Sequence, residues 1–269
     1  MDDARLPTGK YIVPALAQGL AALSLFSRDR VRLTAPDIAQ ELGLPRTSVF
    51  RMLHTLEAMG FVRREEDERH FRLGSALLGS GFAYLASLDF IEVAQSVLQN
   101  LRDKLDMSVH MAIRDGRDIV YVSRYAAQTT VRSSVTIGTR FPAHATIMGR
   151  MLLLDLSDFG LRELFPFEPF EKYSDQTPLT LAALTALLSG DRERGYAATQ
   201  SFFERGVSSV AAPVRNSSGA IAAAINVTSV DAYVDPALME GRVKDAVLDA
   251  ATEITRWISG DAGAPGRAG

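Results

Sequence analysis

The sequence predicts an α+β chain of two domains: an N-terminal winged helix-turn-helix, a linker helix, and a larger mixed sheet flanked by helices. Three observations carry this. Two short helical segments, "LTAPDIAQELG" and "LPRTSVFRMLHTLEAMG", are joined by only a few residues and followed by the arginine-flanked segment "FVRREEDERHFRLG". Past residue 106 the apolar period changes to two, with turn signals at Asp115-Gly116 and at Ser217-Ser218-Gly219. The length of 269 residues, 47% of them hydrophobic, is enough for two cores. The expected boundaries are 10–75 for the first domain, 76–89 for the linker helix, 90–259 for the second domain and 260–269 for a disordered tail.

The first helix is expected over residues 14–26, where Leu16, Leu20, Leu23 and Phe26 recur at helical spacing and Pro14 suits a first turn. In the second, Thr34 can cap, Pro36 and Asp37 sit in the first turn, and Gly43 can close the end. The third runs from Pro45 to Met59 and stops at Gly60. Projected at about 100° per residue, it puts Val49, Met52, Leu53 and Leu56 on one apolar stripe. Thr47, Arg51 and His54 lie opposite, flanked by Ser48, Phe50 and Thr55, with Arg46 at the helix start and no acid before Glu57. A helix that reads DNA needs such a face: hydrogen-bonding and cationic groups for base edges and phosphates, without a carboxylate to repel the backbone. An ordinary solvated helix face is the alternative.

The hairpin after it carries Arg63, Arg64, Arg69 and Arg72 around the acidic tip Glu65-Glu66-Asp67-Glu68, and a wing of this kind neutralises phosphates without reading sequence. The tip is expected to face away from DNA, and a purely structural hairpin stays open. "GSALLGSGFAYLASL" reads as a linker helix that can double as a dimer contact. Residues 90–105 form an amphipathic helix with Ile91, Ala94, Val97, Leu98 and Leu101 on one side. "SVHMAIRDGRDIVYVSRY" and "GVSSVAAPVRNSSGAIAAAINVTS" are hairpins, "TVRSSVTIG" a further strand, "PLTLAALTALLSGDRERG" a helix, and 236–259 a long final helix. Such a sheet with helices at its edges suits a ligand pocket.

Composition narrows the function. Without cysteine there is no disulfide, thiolate metal site or cysteine nucleophile, and His54, His70, His110 and His144 are too scattered for a metal cluster, so neither metal nor cofactor is expected. No apolar run reaches the roughly 20 residues of a membrane helix and "MDDARLPTGK" is not a signal peptide, which points to the cytoplasm. The net charge of -3 is spread with mild contrast: residues 1–80 carry 11 Lys and Arg against 10 Asp and Glu, and the remainder 18 against 22. An enzyme using His144 as base beside Thr146, Ser208 or Ser209 would need an orienting carboxylate and a nucleophile on a strained turn, and no G-x-S-x-G elbow occurs, so no catalytic residues are expected. A sensor module that dimerises without binding DNA is a third reading.

Three blocks, in this order and spacing, resemble the IclR family of bacterial transcriptional regulators over nearly the whole chain: "LPRTSVFRMLHTLEAMGFV" with a wing ending "FRLG"; "IGTRFPAHATIMGRMLLLDLS"; and "RGYAATQSFFERGVSSVAAPVRNSSGAIAAAINVTS". The resemblance implies a sequence-specific regulator, repressor or activator, with a GAF-like C-terminal domain that binds a small organic acid effector. It also implies a homodimer or a dimer of dimers on palindromic operator DNA, with recognition helices ~34 Å apart or a multiple of it. On the projection of the third helix and the arginines of the wing, the expected DNA contacts are Arg46, Thr47, Ser48, Phe50, Arg51, His54, Thr55, Arg63 and Arg64.

The effector wall that the resemblance implies comprises Ala143, His144, Ala145, Thr146 and Gly149, then Thr199, Val207 and Ser209, then Asn226 and Thr228. The pairs Val207/Ser209 and Asn226/Thr228 are two apart and so share a sheet face. A cross-strand hydrogen bond would account for these polar residues as well as a ligand does. "PAHATIMGR" reads as a helix start whose free N–H groups suit a carboxylate, with His144 either an added donor or a buried structural histidine. One departure concerns the effector. Phe202 and Phe203 stand where many members have polar or acidic residues, while Glu204 is retained, and aromatic walls suit a ring. "GTRFP" and "MGR" resemble the branch that senses protocatechuate and related hydroxybenzoates, so the expected effector is an aromatic carboxylate.

Overall fold

A computed structural model describes residues 9–27, 29–128, 135–230 and 234–259. The chain divides into two compact units, 1–87 and 88–269.

In the first unit, α1 (Pro14–Ser24) opens on Pro14. A two-residue strand β1 (Leu33–Thr34) leads into α2 (Ala35–Leu42). The Thr34 hydroxyl accepts from the Asp37 N–H while Asp37 accepts from the Thr34 N–H, a reciprocal cap, and Gly43 closes the helix at φ +63°. Helix α3 (Arg46–Ala58) follows, then the antiparallel wing β2 (Val62–Arg64) and β3 (His70–Leu73). β1 pairs with β3, so the wing is the edge of a three-stranded sheet rather than a free hairpin. Ala22, Phe26, Ile38, Val49, Leu53, Val62 and Phe71 form the core of this unit, α3 contributing the stripe its spacing predicts.

The expected stripe on α1 is only half right. Phe26 is buried and Leu23 packs on the core, but Leu16 and Leu20 are 61% and 57% exposed, and the turn facing the core is Gly19 and Ala22. Small residues at these two positions let α1 lie close to Met52 of α3, which turns the leucines outward. Helix α4 (Ala76–Ala86), at the place expected for the linker, has no buried residue and exposes Leu78, Phe82 and Tyr84.

The second unit opens with α5 (Asp89–Leu105) and the hairpin β4 (Ser108–Asp115) and β5 (Asp118–Tyr125), turning on Gly116 at φ +60°. Then come β6 (Arg140–Pro142), a 3-10 turn (Ala143–Ala145), α6 (Ile147–Leu153), α7 (Asp158–Leu164) and α8 (Leu181–Arg194). The chain continues through β7 (Ala197–Gln200), β8 (Ser208–Arg215) and β9 (Ile221–Ser229). The last helical run is α9 (Pro236–Leu238), a π-turn (Met239–Val243) and α10 (Lys244–Ser259). Of the expected strand "TVRSSVTIG", residues 130–134 lie outside the described residues, and Val135–Gly138 is a non-strand approach to β6. The expected tail also lies outside them.

The six strands order as β6-β5-β4-β9-β8-β7 and every pairing is antiparallel. The sheet expected as mixed is thus antiparallel throughout, because its two hairpins join through β4 and β9 without a parallel crossover. One face, carrying Ala112, Ile119, Tyr121, Ala197, Ala211 and Ala224, packs on α6 and α8. The alternate residues Met111, Val210, Ala212, Ile225 and Val227 are buried on the other face, where α5 and α10 pack. Burial on both faces explains the near-continuous apolar run of "SSVAAPV".

Candidate functional site

Two surfaces carry polar chemistry, one in each unit. On the first, the Val49–Leu53 stripe fixes the rotation of α3 and turns Arg46, Thr47, Ser48, Phe50, Arg51, His54 and Thr55 outward, every one of them exposed. The Thr55 hydroxyl donates to the Arg51 carbonyl at 2.9 Å, which leaves its oxygen lone pairs on the surface. Phe50 is 56% exposed, an apolar group of the kind that meets a thymine methyl.

The wing splits the two arginines assigned to it. Arg63 is exposed. Arg64 is half-buried: its guanidinium lies 3.3 Å from Glu57, donates to the Glu68 carbonyl and covers the Phe71 ring at 4.7 Å, so its charge is spent inside the domain. The acidic tip is also engaged. Arg32 pairs with Glu65 at 2.8 Å and Asp67 at 3.2 Å, and the backbone N–H and ring of His70 on Asp67 hold that carboxyl far below the usual range. The acids that looked unfavourable beside DNA are partly neutralised by a residue just ahead of β1.

In the second unit a cavity of about 350 Å³ opens on the α6 face of the sheet. Thr146, Thr199, Val207, Ser209, Asn226 and Thr228 line it, and register brings them together: Thr199 opposes Ser209, which opposes Thr228. The Ser209 and Thr228 hydroxyls lie 3.1 Å apart, and the Asn226 amide donates to Thr228 at 3.0 Å. Phe202 and Phe203, expected as aromatic walls, line it too, and His110, Tyr121, Phe141 and Arg205 are lining residues that sequence reasoning did not assign. For His110 the deciding fact is register, which the sequence does not show: β4 sets it opposite Asn226 of β9. Burial among apolar walls drives its pKa down to about 4.

The helix start is built differently from the expected anion cradle. Ala143 and Ala145 are fully buried, Ala143 within the apolar core. The His144 Nε2 lies 3.0 Å from the Glu171 carbonyl and its ring is packed among Phe165, Phe170 and Tyr173, with burial lowering its pKa. Gly149 is needed because a Cβ there would sit 2.1 Å from the Ala143 carbonyl oxygen, so it admits the 3-10 turn rather than a ligand. Its N–H is taken by the Thr146 hydroxyl. Of this block the cavity receives Thr146, with Ile147 beside it; the residues that looked reactive hold the loop to the core.

Behind the cavity lies a feature the sequence did not reveal. Arg150 and Asp191, 3% and 0% exposed, make a two-pronged pair with Nε–Oδ2 2.7 Å and Nη2–Oδ1 2.6 Å. The Arg150 guanidinium also covers the ring of Phe202, a cavity wall, at 5.0 Å.

Comparison with known proteins agrees with both halves. Residues 15–66 match the IclR helix-turn-helix domain, and residues 82–256 match the family described as bacterial transcriptional regulator IclR C-terminal. The chain is 31% identical over 247 residues to the Pca regulon regulatory protein of Pseudomonas putida, covering 91% of this chain and 84% of that one. It is 32% identical over 265 residues to the p-hydroxybenzoate hydroxylase transcriptional activator of Acinetobacter baylyi, covering 93% of each. A solved IclR homologue from Microbacterium hydrocarbonoxydans, complexed with 4-hydroxybenzoate, shares the fold with a TM-score of 0.80 at 22% identity, over 91% of this chain and 99% of that one. These relatives are named as regulators, and no single helix among the described residues is long and apolar enough to cross a membrane. An exposed acid-free recognition face and an effector-type C-terminal domain thus occur in one chain, which belongs to the IclR family of bacterial DNA-binding transcriptional regulators.

Proposed function

We propose that this regulator, acting in the cytoplasm, binds operator DNA through α3 and Arg63, and that an aromatic carboxylate in the C-terminal cavity modulates that binding. The observation that carries the aromatic part is the wall: Tyr121, Phe141, Phe202 and Phe203 surround the polar cluster of Thr199, Ser209, Asn226 and Thr228 in a cavity sized for a single ring. The named functions of the Pseudomonas and Acinetobacter relatives, and the ligand of the Microbacterium structure, support the same class.

Arg205, exposed at the cavity, is the cation positioned to take the carboxylate. Arg46, Thr47, Ser48, Phe50, Arg51, His54 and Thr55 are assigned to the major groove. Arg64 keeps a supporting role in the wing. The unpartnered apolar side chains of α1 and α4, among them Leu16, Leu20, Leu78 and Phe82, support pairing with a second copy, and a two-fold dimer or dimer of dimers matches a palindromic operator.

The test is binding of the full-length protein to the DNA upstream of its own gene, at moderate salt, against a scrambled fragment of equal length. The specific fragment is expected to bind at least a thousand-fold more tightly, in the range usual for specific recognition. Equal affinity for the two fragments sinks the DNA-reading role of α3.

A further inference from the structure

One buried polar atom in the cavity wall has no partner among the described residues: Nε2 of His110. The ring is 2% exposed and lines the cavity, so this nitrogen is not hydrated from the protein surface. Its protonation follows from its neighbours. The Asn226 Nδ2 donates to the Thr228 hydroxyl at 3.0 Å, which turns the Asn226 Oδ1 towards Nδ1 of His110, also at 3.0 Å. An amide oxygen accepts only, so Nδ1 carries the proton and Nε2 is left with a lone pair. Desolvation, with the Arg124 charge adding to it, keeps the ring from taking a second proton at neutral pH.

A buried acceptor without a donor is costly, and a molecule that fills the cavity can supply that donor. A carboxylate has no proton to give and would meet the lone pair unfavourably. A hydroxyl has one. Arg205, an exposed cation elsewhere on the lining, suits the other end of such a ligand. From His110 a chain of rings runs along the wall: His110 edge-on to Tyr121 at 5.5 Å, Tyr121 edge-on to Phe141 at 5.9 Å, and Phe141 against Phe203 at 4.7 Å.

We infer that His110 is a specificity-determining residue that selects hydroxylated aromatic acids over their unsubstituted counterparts, its Nε2 accepting the ligand hydroxyl while the carboxylate lies towards Arg205. Asn226, Thr228 and Ser209 are positioning residues that hold the imidazole in the accepting tautomer. This rests on the aromatic-acid reading above and adds the ligand's second functional group, its place and the residue that reads it.

The test uses the full-length protein and calorimetric titration with 3- and 4-hydroxybenzoate, each against the fluorobenzoate of the same substitution pattern, which is close in size and lacks the donor. The better hydroxybenzoate is expected to bind roughly ten-fold more tightly than its fluoro partner, the scale of one neutral hydrogen bond. In His110→Phe the ratio should fall to about one, and His110→Gln, which retains an acceptor, should restore part of it. A ratio taken within one variant is insensitive to general weakening of the fold. Nitrogen NMR of the ligand-free protein should show His110 protonated on Nδ1 and bare on Nε2.

Equal binding of hydroxy and fluoro acids, a preference that survives His110→Phe, or the Nε2-protonated tautomer each overturns the role of His110 while leaving aromatic-acid binding intact. Failure of all four acids to bind overturns the aromatic-acid reading and this inference with it.

Discussion

Replacing Asp191 with alanine is expected to destabilise the C-terminal unit by about 3–5 kcal/mol, because it leaves the Arg150 guanidinium buried with no counter-charge. Thermal or urea unfolding of the full-length protein, followed in the transition assigned to this unit, measures it. The comparison that gives the result meaning is Arg194→Ala. Arg194 reaches the same carboxylate at 2.7 Å but is half exposed, and a solvent-screened partner of this kind is worth less than about 1 kcal/mol. The paired change Arg150→Met with Asp191→Leu, which removes both charges, should cost far less than Asp191→Ala alone. A loss below about 1 kcal/mol for Asp191→Ala would mean that the pair does not hold α6 to α8. Through the ring of Phe202 the same pair supports one wall of the cavity, so Asp191→Ala should also weaken aromatic-acid binding.

Substitution of Arg51 by alanine is the second large effect, now on DNA. A side chain on the exposed face of α3 that contacts a base should lose about 1–3 kcal/mol of operator affinity and relax the preference at one base position. Arg63→Ala should behave differently, weakening all sequences nearly uniformly and reducing the salt slope by about 1, as a phosphate contact does. Arg64→Ala should show neither pattern. Its guanidinium joins Glu57, the Glu68 carbonyl and Phe71, so its loss should appear as lower stability of the N-terminal unit. Anisotropy titrations of the three variants over a salt series separate these outcomes, and an Arg51 variant that binds operator like the parent would remove α3 from the reading role.

The legible parts of this chain were those governed by local rules. The apolar stripe of α3 and its opposite face, the Thr34 and Gly43 caps and both hairpins follow from spacing and turn chemistry within about ten residues. Where partners are distant, local pattern misleads. Leu16 and Leu20 have helical spacing, yet the small residues Gly19 and Ala22 decide which side of α1 approaches α3. "PAHATIMGR" has the residue types of a reactive turn, but Glu171 and the Phe165–Phe170 pair, more than twenty residues on, claim His144 for the core.

Arg150 acquires its role only where α8 brings Asp191 to it. His110 was legible only as one of four scattered histidines, since its meaning comes from pairing with Asn226, 116 residues away. Of the residues that the resemblance implied around the cavity, Thr199, Val207, Ser209, Asn226 and Thr228 line it, and for Val207/Ser209 and Asn226/Thr228 alternation gave the shared face. Those expected at the helix start, Thr146 apart, depended on a loop path that alternation does not describe.

The central claim is that one ligand class, bound in the C-terminal cavity, changes the affinity of α3 for DNA. Its most direct measurement is the dissociation constant for the upstream fragment, at fixed salt, without acid and with saturating 4-hydroxybenzoate. Linkage requires the same factor, of opposite reference, in the affinity for the acid without and with saturating DNA. A change of about 5-fold to 150-fold in either direction, equal in both legs of the cycle, is the predicted result. Tight binding of the acid with DNA affinity unchanged would contradict it, because a ligand with no preference between two states shifts neither.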